Sequence, residues 1–178
     1  MLYSIKIRSN GERPMASSDQ AVVTDAFAEG HDHRACREAA LAAAEAVCRA
    51  RGMRFTRLRR RVLELIWDRD YPVKAYELLE QLRGERAGAA PPTVYRTLDF
   101  LRREGLVHRV ESLNAYIGCG APGHAHPVQL LVCRHCCKVA ELADEDVARL
   151  LQQKASAQGF CADAAVVELA GVCPRCGG

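Results

Sequence analysis

The chain has 178 residues, of which 49% are apolar and only 6% aromatic, and its formal net charge is +3. That is enough apolar material for one domain or two small ones with a core of Leu, Val and Ala, and no apolar run approaches a membrane span. The opening MLYSIKIRSNGERP has neither the apolar stretch nor the small-residue cleavage site of a secretion signal, so a cytoplasmic location is expected.

Residues 1–34 are polar and aperiodic and read as a flexible N-terminal tail. Met15 is an alternative start. His31 and His33 are either weak metal ligands or part of a solvated loop. From about Cys36 the pattern is helical. Leu41, Ala44, Val47 and Cys48 form one apolar stripe. Thr56 is placed to cap a second helix whose Leu58, Val62, Leu65 and Ile66 share a face. Pro72 marks a turn, and Ala75, Leu78, Leu79 and Leu82 give a third amphipathic face. After the connector 84–90, Pro91-Pro92 opens a fourth helix that runs to about Arg103, with Gly105 as its stop. Two short strands, 106–111 and 115–119, follow around a turn at 112–114. Four helices and a hairpin, over residues 35–117, are the layout of a winged helix-turn-helix. This stretch is also the basic one. Residues 37–112 hold 16 Lys/Arg against 11 Asp/Glu, whereas residues 113–178 hold 5 against 6. The asymmetry suits a polyanion partner, although surface arginines can equally serve solubility.

Residues 118–127 (GCGAPGHAHP, with Gly118 included) read as a hinge. The remaining stretch, 128–178, is read as a hairpin at 128–132 and 139–142, a helix over 144–158 with Val147, Leu150 and Leu151 inward, and a strand over 164–169. About fifty residues is marginal for a lone core, so a metal and a partner subunit are both expected to support it. Cys133-x-x-Cys136 and Cys173-x-x-Cys176 supply the metal ligands. Four thiolates from two tight turns form the closed tetrahedron of a structural zinc site. The odd count of nine cysteines in a reducing compartment also points to metal rather than disulfides. Cys36, Cys48 and Cys161 fit no ligand position and default to burial.

The fourth helix can be turned at about 100° per residue. Val94, Leu98 and Leu101 then face a core, with Arg96 and Arg103 opposite. Arg96 lies in the helix half that enters a major groove and suits a bidentate contact to guanine. Thr93, Tyr95 and the arginines at 57, 59, 60 and 61 suit phosphates. Arg59 and Arg103 complete the candidate DNA contacts. A merely amphipathic helix with solvated arginines would carry the same pattern.

TVYRTLDFLRREGLVHRVES, then NAYIGC, CRHC…VAE and a terminal CPRC, together resemble the ferric uptake regulator superfamily over roughly residues 37–176. PPTVYR-x-LDFL with GLVH-R-VES is similar to its zinc uptake regulator branch. The resemblance implies an α+β protein: an N-terminal winged-helix DNA-binding domain, then a small α/β dimerisation domain. It implies a homodimeric, zinc-responsive repressor of zinc-uptake genes that binds palindromic double-stranded operator DNA. His108, Cys119, His126 and Glu141 match the family's sensing site, so two Zn²⁺ per chain are expected, one structural and one regulatory. His124 competes with His126, or serves an accessory site. Filling the sensing site would lock the two halves of the chain and fix the spacing of two half-site readers. Two departures stand out. Cys137 occupies a position that is usually Gly, leaving Cys136 or Cys137 as the second ligand of its pair, and Thr56-Arg57-Leu58-Arg59 lacks the usual proline. Iron- or peroxide-responsive siblings would use harder ligands than Cys119. A zinc-stapled interaction protein would leave the arginine-rich helix unexplained. H-x-E, H-E-x-x-H and a nucleophile–base pair are absent, so no enzyme, small-molecule substrate or membrane partner is expected.

Overall fold

The computed structural model describes residues 22–23, 27, 33–85, 90–123, 126–163 and 165–177. His31, His124 and Met15 lie outside them. Helix α1 (His33–Ala50) is followed by α2 (Arg57–Trp67), whose start is fixed by Thr56: its side-chain oxygen accepts the Arg59 amide at 3.3 Å. That contact supplies a partner for one of the helix's open N–H groups without the missing proline. Helix α3 (Ala75–Glu85) buries Leu78 and Leu82. Helix α4 (Pro91–Arg103) has no side-chain cap at Ala90. Its two opening prolines carry no N–H, so fewer donors need one. Gly105, at φ +68°, ends the helix, and the Leu106 amide turns back to the Leu101 carbonyl at 2.9 Å.

One strand, β1 (Val22–Val23), precedes these helices, inside the stretch expected to be an aperiodic tail. It pairs antiparallel with Leu142 and Ala143 of a later strand. Strands β2 (Val107–Val110) and β3 (Ala115–Gly118) form the wing, joined by a 3-10 turn at Glu111–Leu113 and Asn114 at φ +47°. Then come β4 (Val128–Cys133), β5 (Val139–Ala143), α5 (Glu145–Ser156), β6 (Val166–Gly171) and the single turn α6 (Pro174–Gly177). The rear sheet has the order β1-β5-β4-β6. β5 runs antiparallel to β4, and β6 parallel to it. β5 returns the chain to the start of β4, and α5 with the segment after it carries the chain across to the far edge, where β6 begins beside Val128.

The two halves are built unequally. Helices α1 to α4 enclose a core that includes Leu63, Leu78, Leu98 and Leu101, and Val107 and Tyr116 of the wing join it. The rear sheet contributes the buried Leu130, Val132 and Val139 and the partly buried Val128 to a second cluster, completed by Val110 of β2. The wing is therefore shared between both cores. Val147, Leu150 and Leu151 of α5 do not face inward as the periodicity suggests; they are 37%, 54% and 40% exposed. Periodicity marks a face that wants cover, not whose surface covers it. Among the described residues no helix is long and apolar enough to cross a membrane.

Candidate metal centres and reading helix

The first C-x-x-C sits where β4 turns into β5. The Cys133 amide donates to the Lys138 carbonyl at 2.9 Å, and the Cys137 amide to the Cys133 carbonyl at 3.0 Å. The second pair caps the short α6 just beyond β6, which lies beside β4. Sγ atoms of Cys133, Cys136, Cys173 and Cys176 all fall within 4.8 Å of one another, with Cys136 and Cys173 at 3.8 Å. A tetrahedral ion with metal–sulfur bonds of about 2.3 Å has edges of about 3.8 Å, so the donor set fits zinc. Backbone N–H groups of Cys136 and Cys173 draw the Cys133 thiol down to about 5, which readies it for a cation. Cys137 stays outside the cluster and is exposed, with φ at +58°. That left-handed conformation is the reason glycine suits the position.

A second cluster forms where the wing meets the rear hairpin. His108 belongs to β2, Cys119 follows β3, His126 precedes β4 and Glu141 lies in β5. Their ligand atoms also lie within 4.8 Å of one another. Glu141 Oε1 is 3.0 Å from His108 Nε2 and 2.6 Å from His126 Nε2, and Cys119 Sγ is 3.6 Å from the same His126 nitrogen. The buried His108 Nε2 approaches the carboxylate without hydrogen-bonding geometry and has no hydrogen-bond partner. A buried nitrogen left so would cost stability, and an ion among these four donors would satisfy it. Burial alone would raise the Glu141 carboxyl. The His108 imidazole, the Gly120 amide at 2.9 Å and His126 outweigh burial and hold it down to about 2. Burial, with the Glu141 charge beside it, pushes the Cys119 thiol up to about 12. The metal-free cluster thus carries an ionised carboxylate and a neutral thiol.

Trp67 of α2 packs against Gly118, the residue before Cys119. A Cβ at Gly118 would lie 2.2–2.5 Å from its indole ring, so only glycine fits directly before Cys119. No periodicity or motif signals that packing in the sequence.

On α4, Val94, Thr97, Leu98, Phe100 and Leu101 are buried. Thr93, Tyr95 and Arg96 are exposed on the free face. Most of the other candidate arginines have partners within the chain. The Arg59 guanidinium stacks 3.3 Å over Phe100 and donates to the Arg54 carbonyl. Arg60 pairs with Glu45 at 2.8 Å, Arg61 with Glu85 and Glu64, and Arg103 with Glu104 at 3.1 Å. Glu45 and Glu85 sit on α1 and α3, so spacing within α2 could not reveal those two pairs. Arg57 remains exposed.

The profile of the ferric uptake regulator family matches residues 50–170. The chain is 39% identical over 137 residues to the zinc uptake regulation protein of Escherichia coli (strain K12), covering 76% of this chain and 80% of that one. It is 32% identical over 130 residues to the zinc uptake regulation protein of Mycobacterium tuberculosis (strain ATCC 25618 / H37Rv), covering 71% and 97%. Among solved structures, a zinc uptake regulator complexed with zinc and DNA superposes with a TM-score of 0.75 at 38% identity, over 79% of this chain and 94% of that one. The holo form of XcZur superposes with a TM-score of 0.71 at 45% identity, over 76% and 95%.

Proposed function

Because the chain belongs to the ferric uptake regulator family, we propose that it is a zinc-responsive transcriptional repressor, binding operator DNA when its second metal cluster is filled and shutting off zinc-uptake genes. The relatives named for zinc uptake regulation, and the similarity to a regulator solved with zinc and DNA, support this reading. The observation that carries it is the split origin of the cluster. His108 and Cys119 hold the root of the wing, whereas His126 and Glu141 hold the rear hairpin.

Zinc, when bound, supplies a closed-shell divalent Lewis acid that accepts imidazole, thiolate and carboxylate together. His108 and Cys119 then orient the wing, and through the shared core the wing orients α4. His126 and Glu141 anchor that arrangement to the rear sheet. Cys133, Cys136, Cys173 and Cys176 form the structural zinc site, giving two ions per chain. On α4, Arg96 reads a base edge, while Thr93 and Tyr95 contact phosphates. The exposed apolar residues of α5 and β6 seat a second copy, so that two reading helices meet a palindrome. The site is regulatory rather than catalytic, and its DNA target implies the cytoplasm. The softness of Cys119 favours zinc over iron.

Operator binding in titrations of chelator-buffered Zn²⁺, Mn²⁺ and Fe²⁺ tests the proposal. Zinc is expected to activate at the lowest free concentration. Activation by iron below zinc would move the protein to the iron-responsive branch, and metal-independent binding would remove the switch altogether.

A further inference from the structure

A second attachment holds the wing to the rear sheet, and it uses no metal. Glu168 of β6 accepts the backbone amides of Glu111 and Ser112, the latter at 3.1 Å, in the turn at the wing's tip. Its place in the sheet gives this contact meaning. Leu130 of β4 is paired in register with Glu141 of β5 on one side and with Glu168 of β6 on the other. Residues directly opposite one another in a sheet project from the same face. The row Glu141–Leu130–Glu168 therefore presents a carboxylate, an apolar side chain and a carboxylate in sequence.

The wing strand lies along that row. His108 meets Glu141, Val110 packs in the cluster that contains Leu130, and the Glu111 amide meets Glu168. The spacings agree. Two inter-strand steps span about 9.6 Å, and the three steps from His108 through the end of β2 at Val110 to Glu111 cover about 10 Å at the rise of a strand. An attachment at the root alone would let the wing swing about that point, whereas one at each end fixes its direction. The direction is passed on, because Val107 and Tyr116 of the wing share a core with Leu98 and Leu101 of α4. The Val73–Tyr116 backbone bridge ties the same hairpin to the segment before α3.

We infer that Glu168 is a positioning residue for operator recognition: its carboxylate clamps the wing tip to β6 and, together with the metal cluster at the root, sets the angle at which α4 is presented. The inference rests on the DNA-binding role proposed above, and the test separates the two. In the zinc-loaded full-length chain, Glu168→Gln retains the side-chain shape but leaves one acceptor oxygen, and Glu168→Ala leaves none. Hydrogen exchange at the Glu111 and Ser112 amides reads the clamp directly, whatever the protein's function. Exchange is expected to accelerate about tenfold or more in Glu168→Ala and at one of the two amides in Glu168→Gln. Operator affinity at saturating zinc is expected to fall about tenfold in Glu168→Ala and less in Glu168→Gln. The slope of affinity against salt should stay unchanged, because no phosphate contact is removed. Zinc content at the four cysteines and the melting temperature of Glu168→Gln should also hold. Unchanged exchange, unchanged operator affinity, or loss of the cysteine-bound zinc in Glu168→Gln would each overturn the assignment. If the parent chain itself does not bind operator with zinc, the functional reading fails while the exchange experiment still decides the clamp.

Discussion

The helical half and the rear half solve the same problem of holding a fold together with different means. The helices close a continuous apolar core, with Leu78, Leu98 and Leu101 wholly buried. The rear sheet buries only a few side chains and leaves Val147, Leu150, Phe160, Val166 and Leu169 in solvent. Its compensations are polar or metallic: four converging thiols, and Gln129, whose side chain brackets the backbone of Asp144 at 2.8 and 2.9 Å to set the start of α5. A core that stands alone can be moved as a rigid body. A module held by converging thiols, with apolar residues left uncovered, is where regulation can enter at modest energetic cost.

Removing the cysteine site should separate the halves most sharply. Structural zinc in small domains contributes on the order of 10 kcal/mol, and this rear core buries few side chains of its own. Cys173→Ser is expected to unfold the rear module, abolish dimers and leave the helical signal of α1 to α4 in circular dichroism. Simultaneous loss of all helicity would show that the two halves do not fold independently.

Next in size is Cys119→Ser. Zinc per chain should fall by one, the fold should remain, and zinc-dependent operator affinity should drop by about a hundredfold. Unfolding would reassign Cys119 as a packing residue, consistent with its burial but not with its proposed role.

Arg96 and Arg59 then sharpen the contrast between a reading residue and a scaffold residue on adjoining helices. Arg96→Ala is expected to cost about 1–3 kcal/mol of operator binding and to relax preference at one base position. Arg59→Ala should instead lower the melting temperature, since it removes stacking on Phe100 worth roughly 0.5–1 kcal/mol, with little change in sequence preference.

A further effect is on pH. Cys119 is a neutral thiol in the metal-free cluster, and Glu141 is already ionised. Zinc binding must release the Cys119 proton. Affinity at this site is therefore expected to rise with pH, about tenfold per unit between pH 7 and 8, measured by competition with a chelator of known proton dependence. A flat profile would mean the thiol is not a ligand.

Features with local causes could be read from the chain. Thr56, the paired prolines and Gly105 punctuate the helices, and each cysteine pair lies within one turn. The residues of the second cluster were named by resemblance, and their convergence required β2 to meet β5, which no spacing encodes. Three things escaped. Arg60 and Arg61 of α2 are paired with carboxylates of α1 and α3. The apolar face of α5 points out, because periodicity carries no sign for inside. Val22–Val23 pairs with β5 despite lying in a polar stretch, since two residues are too few to show alternation.

Trp67 is the chain's single tryptophan, and its indole lies against Gly118, one residue from Cys119. Its buried Nε1 has no hydrogen-bond partner, so the ring's emission should be sensitive to small shifts in polarity nearby. Ultraviolet fluorescence should therefore read changes beside Cys119 without a label or a DNA ligand.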